Sequence, residues 1–424
     1  MNHTLNKVAI VGGIRTPFAR SFGAYMGVTN QELMTASLKA LVDKYKLSGQ
    51  VLGEVAVGAV MSHPSDWNFA RECALGSGLS AYTPAYTIVQ ACGTSLEAAI
   101  LVGNKIALGQ IDSGIAGGID SNSDIAITFK RSFANKMLRF SRAKSLPDKL
   151  KLLAEMRPGD FKPMTPMVKE PRTGLSMGES CELMAKNWKV TRQEQDELAL
   201  ASHENALKAQ KAGFYNDLIV PFHGLSTDNN VRSSSLEKMA KLPPVFDFSG
   251  NGTLTAGNSS TLTDGSSCVL LASEAWAQKH GFKVQAYLTH SEVAAVDFVK
   301  GEGLLMAPTY AVARMLQKAN LKLQDFDFYE IHEAFAAQVL CTLKAWESEE
   351  FCRTRLGLTQ ALGKIDRTKL NVCGGSVALG HPFAATGSRI VAGLAKILDQ
   401  KGSGRGLISI CTGGGMGVTA ILER

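Results

Sequence analysis

The chain has 424 residues, a formal net charge of +7, and 45% hydrophobic against 20% charged residues. That length supports a large core and more than one domain or a duplicated unit, and the balance is that of an ordinary globular protein. No apolar stretch has the length of a membrane span, and the charge is too modest to imply nucleic acid by itself. The chain enters Val8-Ala9-Ile10-Val11 without a basic, apolar leader, so no secretory signal is expected. Eight scattered cysteines show neither zinc spacing nor a disulfide framework, and fit reduced thiols in a cytosolic compartment. A mild positive field favours an anionic substrate such as a nucleotide-bearing thioester.

In chain order, apolar runs alternate with amphipathic stretches, which predicts an α/β fold. Residues 8–13 read as a strand, and residues 31–45 as a helix with Leu33, Leu38, Leu41 and Val42 on its apolar face. Val55–Val60 and Thr87–Ala91 read as strands. Thr94–Leu108 reads as a helix stopped by Gly109, and Ser113–Gly118 as the next strand. From about Asp120 to Gly250 the rhythm breaks into a stretch richer in charge and Met, with five prolines from Pro147 to Pro171. This is read as an insertion. Within it, Thr191-Arg192-Gln193-Glu194 is a capping box opening a helix. Near the C-terminus the first layout recurs: a strand-like segment, His381, a helix over about 385–398, a break at Gly402 and Gly404, and strand Gly406–Cys411. Two α/β halves related by a weak internal duplication are expected, with reactive groups meeting between them outside the strand ends.

Three segments carry chemistry. Cys92 stands in Ala91-Cys92-Gly93-Thr94-Ser95, between a predicted strand and a helix whose free N–H groups favour a thiolate. Alone, such a cysteine reads as a small buried hydrophobe. His381, in Gly380-His381-Pro382, sits at a turn that can aim an imidazole as general base, although a lone histidine is more often structural. Cys411 ends an apolar strand and leads into Thr412-Gly413-Gly414-Gly415, where glycine N–H groups can approach a substrate oxygen; a plain glycine turn would look the same. A nucleophilic thiol, a base and a second thiol together suit acyl transfer through an enzyme thioester. In Glu330-Ile331-His332-Glu333, no second histidine follows at zinc-site spacing, so no metal is expected. His332 reads as a donor to an oxyanion, and Glu333 as a group that orients an imidazole.

These segments together resemble the thiolase family over nearly the whole chain. The match includes Arg15-Thr16-Pro17-Phe18, Met177-Gly178-Glu179, Gly257-Asn258-Ser259-Ser260, Asn371-Val372-Cys373-Gly374-Gly375, Gly380-His381-Pro382 and the Cys411 glycine turn. The resemblance implies a duplicated five-layer αβαβα architecture. Its N-terminal half would be residues 1–120, with 251–280 returning to it, its inserted loop domain 121–250, and its C-terminal half 281–424. It implies Cys92 as acylated nucleophile, His381 as its activator and Cys411 as acid/base. One oxyanion hole would come from the N–H groups of Cys92 and Gly413, the other from His332 and His381. Ser260, Met177 and Phe335 would line the pantetheine channel, with Arg232 near the nucleotide.

The expected activity is 3-ketoacyl-CoA thiolysis in fatty-acid β-oxidation, with coenzyme A as substrate and no cofactor. The alternatives are an acetoacetyl-CoA thiolase working in the condensing direction and an inactive lipid-binding or scaffold subunit. His332, where most thiolases have Asn, resembles the β-subunit of the fatty-acid oxidation complex. The resemblance implies a cytoplasmic homodimer or higher oligomer and a hydratase–dehydrogenase partner subunit. Pro243 and Ser176 depart from the residues frequent in relatives, where Arg and His respectively are common. Between Lys130 and Phe161, basic residues interleave with Phe133, Met137, Leu138, Leu146 and Leu150. That pattern reads either as an amphipathic helix pair packed on the body or as a surface for anionic lipid or a partner subunit.

Overall fold

The computed structural model describes residues 5–166 and 169–424. Its main strands are β1 (Val8–Arg15), β2 (Glu54–Ala59), β3 (Ala85–Thr87), β4 (Ser113–Asp120), β5 (Thr263–Ser273), β6 (Ala286–Ala295), β7 (Phe328–Ile331), β8 (Arg405–Thr412) and β9 (Met416–Glu423). They pair in the order β7-β8-β9-β6-β1-β5-β4-β2-β3. The join between β1 and β6 is short, running only from Val8 to Ile10.

On either side of that join the same pattern appears twice. In the first half β3, β2 and β4 run parallel, then β5 and β1 alternate antiparallel. In the second half β7 and β8 run parallel, then β9 and β6 alternate antiparallel. The counterpart of β3 has shrunk to a single parallel bridge between Tyr329 and Leu370. The duplication expected from the sequence is therefore a repeated strand order, blurred where one strand has nearly vanished.

Four helices complete the layers: α1 (Asn30–Lys44), α2 (Thr94–Ala107), α3 (Ala307–Ala319) and α4 (Thr386–Lys401). Strand side chains alternate between faces, and here both faces are covered. Leu96 and Ile100 of α2 and Ile390 and Leu394 of α4 share one core with Ile10 and Leu271 of the first sheet and Ile408 and Val418 of the second. On the outer side of the first sheet, Leu33, Leu38 and Leu41 of α1 meet Val55, Ile115 and Leu270. On the outer side of the second, Val312 and Leu316 of α3 meet Leu407 and Ile421. The result is helix, sheet, helix pair, sheet, helix. Each such large apolar side chain contributes roughly 1.5–3 kcal/mol on burial.

Between β4 and β5 the chain makes helices Arg131–Arg142, Leu146–Ala154, Met177–Asn187 and Arg192–Lys211. The capping box at Thr191 is formed as the sequence predicts, with Glu194 reaching back to Thr191. This segment is tied to the body by a buried ion pair. Arg15 donates to both oxygens of Asp228 at 2.5 and 2.7 Å, and Phe18 N donates to Asp228 at 2.7 Å. The segment also completes the body: Phe214, Tyr215, Leu218 and Ile219 belong to the central core. Helices Arg131–Arg142 and Leu146–Ala154 bury only Phe133 and Leu152 between them.

Two local expectations differ from the structure, both beside reactive residues. The strand predicted over Thr87–Ala91 ends at Thr87, and the chain beyond it enters a loop in which Ala91 takes a left-handed φ of 45°. The segment before His381 is a helical turn, Ser376–Leu379, rather than a strand. It is nucleated where Val377 N donates to the buried Glu333 carboxylate at 3.0 Å, and it ends at Gly380 with φ 104°.

Candidate active site

Cys92 leaves the first sheet on the loop between β3 and α2. The loop is pinned by Thr94, whose hydroxyl accepts from Gln90 N at 2.8 Å and donates to Ala91 O at 2.7 Å. Gly93 is required there. A Cβ on it would lie 2.6 Å from Val418 Cγ2 and 3.0 Å from Thr412 Cγ2, so its absence lets the loop press against the second half. From that half comes His381, whose backbone N donates to Thr263 Oγ1 at 2.7 Å and whose Nε2 lies 3.1 Å from Cys92 Sγ. His381 Nδ1 is held by Thr386 Oγ1 at 2.7 Å.

The rings of His381 and His332 stand 4.1 Å apart, centroid to centroid. Cys92, His332 and His381 each place one sulfur or nitrogen within 4.8 Å of the others, the set that could hold a soft metal ion. The backbone N–H groups of Gly413 and of Cys92 itself act on the thiol to favour its ionised form. Cys411, at the end of β8, is buried against Cys181, Ala334, Phe335 and Cys341, close enough to Cys92 that a thiolate on one would oppose a thiolate on the other.

The electrostatics correct one expectation. Burial pushes the Cys92 thiol up to about 12, outweighing the N–H groups of Gly413 and Cys92 that favour a thiolate. Burial also holds the His381 imidazole down to about 3. Both ions are penalised by the same dry surroundings, so the resting pair is a neutral thiol beside a neutral imidazole. The Cys411 thiol is likewise held well above its ordinary range, first by burial and then by Cys92.

A model of the N-terminal domain of thiolases matches residues 8–275, and one of the C-terminal domain of thiolases matches residues 282–424. The chain belongs to the thiolase family. It is 41% identical over 425 residues to a 3-ketoacyl-CoA thiolase of Pectobacterium carotovorum, covering 99% of this chain and 97% of that one. A 3-ketoacyl-CoA thiolase of Yersinia pestis is 40% identical with the same coverage. Among solved structures, the acetyl-CoA acetyltransferase of Bacillus anthracis superimposes with a TM-score of 0.82 at 31% identity, covering 99% of both chains. Human mitochondrial 3-ketoacyl-CoA thiolase in complex with CoA gives 0.81 at 29% identity, covering 99% of this chain and 98% of that one.

In this thiolase, two of the residues expected to line a pantetheine channel lie near Cys411. Met177 and Phe335 pack in the same cluster as Cys411. Ser260 N donates to Ala334 O at 3.0 Å, beside Phe335. Arg232 lies in a separate surface cavity of about 200 Å³ with His203, Ser234 and Lys238. Glu333 does not orient an imidazole: its carboxylate accepts from Ser202 Oγ at 2.7 Å, Asn371 Nδ2 at 2.6 Å and Val377 N at 3.0 Å. It instead folds the loop that carries Gly374 and Gly375.

Several members of the site gave no sequence signal. Ser376 and Arg389 sit behind His332, and Asp120 accepts from Ala384 N at 2.7 Å to hold the turn after His381. Glu170, from the inserted segment, accepts from Gly414 N at 2.9 Å. Each lies far in sequence from its partner. Arg389 alone could have been suspected, as a charge in the first turn of the helix ahead of the apolar residues Ile390, Val391 and Leu394.

Proposed function

We propose that this thiolase cleaves 3-ketoacyl-CoA with coenzyme A, giving acetyl-CoA and a shortened acyl-CoA, in β-oxidation. The carrying observation is the 3.1 Å approach of His381 Nε2 to Cys92 Sγ, with Cys411 buried beside them. As Cys92 Sγ attacks the C3 carbonyl, its proton passes to His381 Nε2. The N–H groups of Cys92 and Gly413 receive the oxygen of the tetrahedral centre. The C2–C3 bond then breaks. The enolate oxygen of the departing acetyl-CoA is held by His381 and His332, while Cys411 protonates C2. In the second half, the Cys411 thiolate takes the proton of coenzyme A. The resulting thiolate displaces Cys92 from the acyl group, and His381 returns its proton to Cys92. Only protons and an acyl group move, so the cycle is written without a metal or redox cofactor.

Ser260, Met177 and Phe335 would guide the pantetheine arm, and Arg232 would meet the nucleotide. The edge strand β3, flanked by exposed Tyr82 and Val89, has a free side that fits pairing with a second copy. The basic, apolar-faced helices Arg131–Arg142 and Leu146–Ala154 fit an anionic membrane or a hydratase–dehydrogenase subunit; Leu138, Leu146 and Leu150 are exposed there. A cytoplasmic location accompanies this reading.

The test is a thiolysis assay across acyl lengths, with mass spectrometry of the acylated protein and Cys92→Ser as control. The expected result is turnover together with acylation confined to Cys92. Acylation elsewhere, with activity intact in Cys92→Ser, overturns the assignment.

A further inference from the structure

Behind His332 lies a buried relay that the cycle above leaves unused. Ser376 is fully buried, and its Oγ has two recorded partners among the described residues: His332 Nδ1 at 2.8 Å and Arg389 Nη2 at 2.9 Å. A guanidinium only donates, so the serine oxygen accepts from Arg389. The hydroxyl has one hydrogen, and His332 Nδ1 is the acceptor in reach. If His332 instead donated from Nδ1, the serine hydrogen would be stranded in a buried site, and Nε2 would be a bare acceptor facing the thiol. The first arrangement satisfies both the serine hydroxyl and His332 Nδ1 and puts the histidine's hydrogen on Nε2. That atom is buried without a protein partner.

Arg389 is itself buried, with Nη1 3.8 Å from the buried carboxylate of Glu330. Burial, then the charges of His381 and Arg389, hold His332 well below its ordinary range. His332 therefore donates by its tautomer and not by carrying a second proton. Its neighbour is set the opposite way. His381 must keep Nε2 free for the Cys92 proton, so its hydrogen sits on Nδ1 and is received by Thr386 Oγ1 at 2.7 Å.

We propose that Ser376, backed by Arg389 and Glu330, is a positioning residue that fixes His332 as the Nε2–H tautomer, making it a standing donor to the enolate oxygen. The role rests on the thiolytic reading, but the tautomer does not. An asparagine at position 332 would carry its donor on its own amide and would not need the serine.

The decisive measurement is ¹⁵N NMR of the histidine-labelled full-length protein, with His332 assigned by loss of its signals in His332→Asn. Wild type should show His332 protonated at Nε2 and bare at Nδ1. Ser376→Ala should mix the tautomers and lower kcat on the order of tenfold to a hundredfold, with KM within about threefold. Ser376→Thr should restore both. In the His332→Asn background, Ser376→Ala should cost nothing further, because the serine acts through the histidine. A hydrogen on His332 Nδ1 in wild type overturns the proposal. So does an equal loss from Ser376→Ala in both backgrounds, which would mark a packing role. Absence of thiolysis in wild type, with the tautomer as stated, would overturn the reaction assignment and leave the relay standing.

Discussion

The rings of His332 and His381 meet at 4.1 Å, tilted by 47°, yet their Nδ1 atoms are held by different hydroxyls, Ser376 for the first and Thr386 for the second. Two identical side chains in contact thus serve opposite needs, one offering a hydrogen and the other a lone pair. The chemistry at position 332 can be probed directly. His332→Asn should retain partial turnover, since an amide can also donate to an oxyanion. His332→Ala should lose on the order of 10²-fold in kcat. Steady-state thiolysis of both variants checks this, and normal activity in the alanine form would remove His332 from the cycle.

Alkylation of Cys92 should report the neutral resting pair. With the thiol pushed up to about 12, the reactive thiolate is a minor species that grows with each pH unit. The rate of Cys92 carbamidomethylation by iodoacetamide should climb about tenfold per unit between roughly pH 6 and 9, without a plateau. Peptide-resolved mass spectrometry measures it. A flat rate across neutrality would instead mark a preformed thiolate–imidazolium pair.

Replacing Cys411 separates the half-reactions. Transfer of an acyl group from a simple thioester to Cys92 needs no second acid, whereas C–C cleavage does. Cys411→Ala should still be acylated at Cys92 while thiolysis falls steeply. Equal loss of both steps would assign Cys411 a packing role.

A single methyl group on β4 should disturb the base. A Cβ at Gly118 would lie 2.1 Å from the carbonyl oxygen of Ala384, in the turn that follows His381. Backbone must move to admit it, so Gly118→Ala should cost about 1–3 kcal/mol of stability and reduce turnover at temperatures where the protein stays folded. Gly159→Ala, where a Cβ meets nothing within 4 Å, is the control in thermal unfolding and in the assay.

Charge reversal at Arg139, Arg142 and Lys144 to Glu should weaken sedimentation with phosphatidylglycerol vesicles at low salt and leave thiolysis of a short soluble substrate intact. Wild-type binding should itself fade as salt is raised, because the contact is electrostatic. Unchanged sedimentation would leave these helices as a solvated amphipathic pair.

Much of the fold was readable because its signals are local. The capping box at Thr191 and the glycine stop after α2, at Gly109 with φ 68°, act through neighbours in sequence. The thiol and imidazole segments were likewise recognisable as motifs. What escaped were effects decided by contacts across the chain. The strand predicted through Ala91 gives way after Thr87 to a loop whose Gly93 lies against Val418 and Thr412 of the second half. The thiolate expected from a helix start loses to burial between the halves. Glu333 looked like a partner for a ring, but it serves backbone N–H and side-chain groups from Ser202, Asn371 and Val377. Ser376, Arg389 and Glu330 meet only after folding, so no spacing could have announced them.

The glycine at position 93 lets the Cys92 loop touch β9, and Gly387, where a Cβ would lie 2.3 Å from Leu96 N, lets α4 start against α2. Cys92 thus arrives with one copy of the repeat, and His381 and Cys411 with the other. Until the copies dock, Cys92 lacks both the imidazole of His381 and the N–H of Gly413. On the proposed reaction, the thiol–imidazole pair is therefore created by the docking of the two copies, and neither copy alone holds it.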